Sequence, residues 1–500
     1  MSRSAEPRRA GRAGLLLVTC ALAWVLIAAV AIAAPVVPVT LVPSLPEGRF
    51  DSLSIGMGDH GDAVASWRAL EFGQGTVRVA HERAGRSRWA ISPPLAAGES
   101  ARLAVDGHGD AVAIWTSNGA GPVREGISHL EAAVRPAGLG HWRAPTVIAR
   151  LQPCDGCEAM PSVVIGAGGE VLVVWLEGSE EEPDTPLAEE PGRVIETVSG
   201  SVQTGRFGPA VALSRATDFS RAPRAALDGR GDVVVVWEVF VRGEGQAIEA
   251  AWRPSGGGWR PSITLAHGNV GLSSPHVAID AEGRAVAVWE QARAYPGPRG
   301  ESRPSAIRSA FGDASAASWG AAQDLSSPGE SASNAQLGSA PTGRIVAVWE
   351  RDSRTSNAVV AAIGSIPSGT WWPQTTVAMW GHVAPALRVC RGGACPPARG
   401  RQLPAAAPRV AMNARGDAAV VWEQAGAYRP FVRLARLPRS ARDWLTPVRV
   451  SAPGASEASV ALDTFDDAFV IWQTVGTCRA PCQQVSAALE VAKLAPRDGH

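Results

Sequence analysis

Four glutamates, Glu238, Glu290, Glu350 and Glu423, each follow directly on a tryptophan at the end of an apolar stretch, and Glu177 lies one place further on in a fifth. A carboxylate repeated at one position could ring a central opening and attract a cation or a sugar. A feature present in most copies of a repeat usually serves the copy, however. The preferred reading is that each glutamate caps its own repeat by bonding backbone amides or a neighbouring arginine. Asp106-Gly107-His108-Gly109-Asp110 and Asp228-Gly229-Arg230-Gly231-Asp232 look like calcium loops but lack the continuing run of oxygen donors that calcium needs. Turn chemistry accounts for them, with Asp bonding the backbone and Gly taking positive φ. Neither metal nor cofactor is expected. Arg-Gly-Asp at Arg230 to Asp232 and Arg415 to Asp417 falls in that same turn, so cell adhesion is not inferred from it. None of the nine histidines sits in a G-x-S-x-G or H-E-x-x-H context.

Apart from Cys20, the cysteines form three close pairs, Cys154/Cys157, Cys390/Cys395 and Cys478/Cys482. Their compartment is suggested by the first residues. Arg3, Arg8, Arg9 and Arg12 precede an uncharged run from Ala13 to Ala34, and Ala31-Ile32-Ala33 offers the small residues of a cleavage site. Residues 1–34 therefore read as a secretory signal, with retention as an N-terminal membrane anchor as the alternative. In an exported chain the pairs predict local disulfides. A shared metal site is disfavoured by their unequal spacing and wide separation. The chain is expected to be secreted or held on the outer face of the membrane. With 47 basic and 47 acidic residues it has no basic field for nucleic acid.

The element that must position all of these groups is a repeat. Trp67, Trp115, Trp175, Trp237, Trp289, Trp349, Trp422 and Trp472 each close an apolar strand that follows a tight glycine turn, at spacings from 48 (Trp67 to Trp115) to 73 residues (Trp349 to Trp422). In the fourth copy Arg221 to Asp228, Asp232 to Trp237, Gln246 to Trp252 and Trp259 to Ala266 read as four antiparallel strands. The second is a run of valines without polar alternation, as a strand covered on both faces requires. A further aromatic opens the fourth strand, at Trp89, Trp142, Phe207, Trp259, Trp319, Trp372 and Trp444. The eighth copy lacks that strand, and Val36 to Val42 resembles it. The expectation is an all-β, eight-bladed propeller over residues 35–492, closed by its N-terminal strand, with 493–500 as a tail and the chain a monomer.

On these residues the chain resembles β-propeller proteins, with closure like that of the WD-repeat group. Its D-x-x-G turn followed by tryptophan is similar to the Asp-box of sialidase-like propellers, S-x-D-x-G-x-x-W, except that the tryptophan falls several residues later. That resemblance implies an arginine cluster gripping a carboxylate and a tyrosine nucleophile polarised by a glutamate. Tyr295 and Tyr428 are the only tyrosines, each in W-E-Q-A-x-A-Y beside Glu290 and Glu423. Their duplication argues for a structural part, and the family's early R-I-P arginine motif is absent. A non-catalytic protein is expected.

With strands labelled a to d outward, the a–b and c–d connections share one rim and the b–c and d–a loops the other. The second rim carries the cysteine pairs, both tyrosines, the acidic insertion Glu177 to Glu190 and the Pro-rich segment Met379 to Pro404. Irregular loops on a rigid scaffold are where binding residues concentrate. A partner protein or polysaccharide is thus expected on that rim, with Trp371 and Trp380 as aromatic contacts because Trp372 holds the packing position. A structural envelope protein without a ligand is the alternative.

Overall fold

The valine-rich runs that end in tryptophan are strands covered on both faces, and every described element of the computed structural model is a strand. The structure describes residues 37–496 except 47, 72, 87, 119–127, 152–158, 179–192, 216–217, 242–244, 269, 293–304, 314–317, 354–355, 382–406, 427–428 and 476–485. The expected disulfides Cys154/Cys157, Cys390/Cys395 and Cys478/Cys482 fall outside the described residues, as do Tyr295, Tyr428 and the leader at 1–34. The structure therefore gives no pairing for Cys154, Cys157, Cys390, Cys395, Cys478 or Cys482, and no place for either tyrosine.

The strands form eight antiparallel sheets in chain order. In the fourth blade, strands a to d are Phe219–Leu227, Val233–Val241, Gly245–Arg253 and Ile263–Gly268. The a strands of the other blades are Arg49–Met57, Glu99–Val105, Ser162–Ile165, Leu272–Ile279, Ser331–Ser339, Arg409–Met412 and Ala455–Leu462. Each lies against the a strands of both neighbours, which makes them the innermost ring. The eighth sheet takes its outer strand from the chain's beginning: Val39–Pro46 pairs antiparallel with Ser486–Leu494, Val39 opposite Val491 and Pro46 opposite Ser486. That c strand runs past residue 492, so Lys493 and Leu494 belong to the eighth blade, and Lys493 Nζ sits 2.8 Å from Asp467.

Packing between blades follows from alternation along strand b, where successive side chains point to opposite faces. All eight strand-b tryptophans are fully buried. Each faces the preceding blade: Trp237 packs with Leu172, Val174 and Ile195 of the third, and Trp67 with Phe469, Ile471 and Leu489 of the eighth. The residue before each tryptophan faces the next blade, as Val236 does toward the fifth. Apolar clusters of this kind fill every blade-to-blade interface around the ring.

The a–b turns work as their sequence suggests. Asp228 Oδ1 accepts the N–H groups of Arg230 (2.9 Å) and Asp232 (2.8 Å). Asp106, Asp280, Asn413 and Asp463 do the same in their own blades. The aspartates of the two Arg-Gly-Asp stretches are occupied as well, Asp232 by the Ser255 N–H and Asp417 by the Arg439 N–H, both at 2.7 Å.

Strand d differs from its expectation in two ways. Trp259 precedes the strand, and in several blades the strand is broken after its aromatic. Pro209 and Pro373 fall in such breaks, where an edge tolerates the missing N–H. In the sixth blade the packing position belongs to Trp371. Its ring lies over Gly364, where an added Cβ would come within 2.6 Å, and its indole N–H donates to Ser309 Oγ at 3.0 Å. Trp319 over Gly312 follows the same pattern. Trp372 faces solvent, 37% exposed, beneath the Arg442 guanidinium. The expected roles of these two tryptophans are therefore exchanged, because the glycine in strand c sets which ring can lie flat on the sheet.

Candidate axial ligand site

Near its start, at the end toward the b–c and d–a loops, every a strand carries one non-glycine residue in the left-handed region. These are Ser52, Ser100, Met160, Ala222, Ser274, Asn334, Ala407 and Glu457, with φ from 41° to 59°. In six blades the register slips there, the mark of a β-bulge. The next residue is proline in four blades, Pro161, Pro223, Pro275 and Pro408, as suits a bulge position whose N–H leaves the ladder. Left-handed backbone at non-glycine residues costs on the order of 1–3 kcal/mol and persists only where surrounding contacts enforce it.

The carboxylates after the tryptophans supply that enforcement, across blades rather than within them. Glu238 Oε1 accepts the N–H of Ser274 in the next blade at 2.7 Å, Glu290 that of Asn334 at 2.7 Å, and Glu423 that of Glu457 at 2.8 Å. Being two residues beyond an inward-packed valine, each glutamate points to the following blade while its tryptophan points to the preceding one. Elsewhere the same position serves similar ends. Arg68 reaches Glu99 of the second blade at 3.2 Å, and Gln473 Oε1 accepts the Phe50 N–H at 3.3 Å across the closing seam. Glu238 also pairs with Arg221. Glu350 is buried and accepts the side-chain amide of Asn334 at 3.2 Å, within its own blade. Glu177 takes the indole N–H of Trp175 at 3.0 Å.

Burial is the first cause that raises the Glu290 carboxyl above the usual range, and the charge of Glu238 adds to it. Glu423 is pushed up to about 7, by burial first and then by the charge of Glu457, against the opposing pull of its amide bond and Arg409.

Two residues beyond each left-handed position, the a strand carries a polar side chain: Ser54, Arg102, Ser162, Arg224, His276, Gln336, Arg409 and Ser459. Each lies thirteen residues ahead of its blade's tryptophan, as Arg224 does of Trp237. They share one register, Arg224 opposite Val236, His276 opposite Val288 and Arg409 opposite Val421. Being at one level of the innermost strands, they form a ring about the axis. His276 Nε2 lies 3.4 Å from Gln336 Nε2 in the next blade. Two residues further along, the strands carry only Gly56, Ala104, Val164, Ala226, Ala278, Gly338, Ala411 and Ala461. A Cβ on Gly56 would stand 2.5 Å from Val105 of the second blade, so the a strands close up at that level.

The charges in this ring act on one another. Burial lowers the Arg224 pKa, and the charges of Arg102 and then Arg409 lower it further. Those residues belong to the second, fourth and seventh blades, which are not neighbours, so their charges meet across the axis. His276 is pushed down to about 3 by burial and by Arg224 and Arg409, and is neutral at ordinary pH. Arg409 is exposed to solvent, yet loss of hydration is the leading cause of its lowered pKa. A guanidinium in a narrow wet passage accounts for both.

Of the expected rim residues, Glu238, Glu290 and Glu423 surround this ring, but as links between blades. Trp371 lies at the opposite rim, beside the c–d turn. Trp380, in Thr375–Gly381, is half-buried and packs on the core between the sixth and seventh blades. The arginines and His276 were not singled out from sequence. Their signal is the fixed offset of thirteen, visible only when the eight a strands are aligned. Among the described residues no cluster of His, Cys, Asp and Glu is arranged to hold a metal.

No protein-family model matches the chain, and no curated protein matches it. Among solved structures it is similar to the NanB sialidase of Streptococcus pneumoniae, at 8% identity and a TM-score of 0.40 over 90% of this chain and 94% of that one. It is also similar to a PL25 ulvan lyase, at 12% identity and a TM-score of 0.43 over 65% of this chain and 82% of the lyase. A third is the GH93 α-L-arabinofuranosidase of Fusarium graminearum, at 14% identity and a TM-score of 0.37 over 66% and 92%. The chain is an all-β, eight-bladed propeller whose innermost strands present one polar ring around the axis.

Proposed function

We propose that this protein is an exported binding protein that takes a partner or polymer at the loop-rich mouth of its axial passage and performs no chemistry on it. The observation that carries this reading is the polar ring: eight side chains at one level, followed two places on by nothing larger than valine. A scaffold needs apolar contacts at its axis, and burying polar groups there costs free energy unless something satisfies them. The carboxylates nearest the ring, Glu238, Glu290 and Glu423, already hold backbone amides. That use favours binding over acid–base catalysis, which needs a carboxyl group within reach of a substrate.

The reading is tested by a solution binding screen of the purified chain against dextran, dextran sulfate, polygalacturonate and a random peptide library. Saturable binding of at least one class, without release of cleaved product, is the expected result. Absence of binding to all of them would favour the envelope-scaffold alternative, and product release would favour an enzyme.

A further inference from the structure

We propose that Arg102, Arg224 and Arg409 form an oxyanion site on the axis, which takes a sulfate, phosphate or carboxylate group. This rests on the reading that the mouth binds a ligand and names the ligand's chemistry. The three residues occupy the same register in three blades, and their side chains fold back alike. Nη1 of each donates to the carbonyl of the residue before it, Ala101 at 2.9 Å, Pro223 at 2.9 Å and Pro408 at 3.5 Å. The residue after each bulge thus fixes a guanidinium by one nitrogen. In Arg224 and Arg409 the rest of the planar fork is left for an acceptor.

Neither Arg224 nor Arg409 belongs to an ion pair among the described residues. The nearest acids are Glu238 for Arg224, and Glu423 and Glu457 for Arg409. Glu238 and Glu423 are committed to the amides of the next blade. Like charges facing one another in a poorly hydrated passage repel, and a bound anion relieves that repulsion while accepting charge-assisted hydrogen bonds. His276, held neutral, adds a ring nitrogen without further positive charge, and Gln336 adds an amide. The bulges above explain why the strain is kept: they turn the start of each a strand so that the residue two places on lies at the axis.

The test is calorimetric titration of sodium sulfate and sodium phosphate into the full chain, at constant ionic strength, for the wild type, Arg224→Gln, Arg409→Gln and the double variant. Arg260→Gln, at an exposed arginine of the fourth blade, is the control. Arg224→Lys, which keeps the charge but not the fork, and thermal midpoints for every variant separate a lost site from a lost fold. Each ring substitution is expected to weaken anion binding about tenfold, roughly one charge-assisted hydrogen bond, with Arg224→Lys intermediate and Arg260→Gln unchanged. Unaltered sulfate affinity in a folded double variant would overturn the proposal. Binding of neutral dextran or peptide, with no anion effect, would overturn it and leave the binding reading standing. If dextran sulfate or polygalacturonate binds and inorganic sulfate competes, the group is carried on an acidic saccharide. If only the inorganic ions bind, it is a free anion.

Discussion

The carboxylate of Glu423 in the seventh blade accepts the backbone N–H of Glu457 in the eighth at 2.8 Å, and Glu457 holds a φ of 59°. The preceding residue, Trp422, is fully buried against the sixth blade. One W-E dipeptide therefore ties three consecutive blades together, and the amide it holds belongs to the strained turn that sets the axial ring.

This link predicts a pH dependence. The Glu423 carboxyl is raised from 4.5 to about 7 in the folded protein, so between those values the native state binds more protons than the unfolded one. Its contribution to stability is present at low pH and is lost as pH rises to about 7. Glu423→Gln keeps an oxygen for the Glu457 amide and removes the buried charge. Its stability relative to wild type should rise between pH 5 and pH 8, by on the order of 1–3 kcal/mol. Urea midpoints across that range check this, and a constant difference would contradict it.

His276 acts with the opposite sign. Its pKa is lowered from 6.5 to about 3, so the unfolded state binds more protons between those values, and stability is lost as pH falls below 6.5. His276→Gln should lessen the loss of stability on acidification from pH 6.5 to pH 4. Parallel curves for the variant and the wild type would show that the ring does not exclude the charged imidazole.

In the sixth blade the two adjacent tryptophans should behave unequally. Trp371→Ala opens a space over Gly364 and orphans the Ser309 hydroxyl. Trp372→Ala removes an exposed ring. Thermal melts should show the first clearly destabilised and the second nearly neutral. Trp237→Ala, at a fully buried site, should cost about 3–5 kcal/mol.

Asp228 accepts two backbone amides with one oxygen. Asp228→Ala should cost about 2–3 kcal/mol, since hydrogen bonds to a charged group are worth roughly 1.5–3 kcal/mol. Asp228→Asn should cost far less, because Asn413 performs the same task in the seventh blade. Equal losses for both would mean that the charge, rather than the acceptor geometry, holds the turn.

The architecture was legible in the sequence because one tryptophan, one turn and one apolar run recur together, and each copy reinforces the others. The structural use of Glu238, Glu290 and Glu423 was legible too, but their direction was not. Alternation along strand b turns them away from their own blade. Trp371 and Trp372 were exchanged because adjacent aromatics differ only in phase, and the phase is set by Gly364 in another strand. The axial ring was missed for a related reason. Serine, arginine, histidine and glutamine share no identity that a repeat search would register, only a position.

Hydrogen exchange of the full chain with and without dextran sulfate tests the central claim, that ligand is held at the axis on the loop-rich side, most directly. Protection is expected in peptides spanning 99–105, 219–227, 272–279, 331–339 and 455–462, the a strands bearing the ring. Protection confined to the a–b turns, such as Asp228 to Asp232, or to the outer d strands would contradict it.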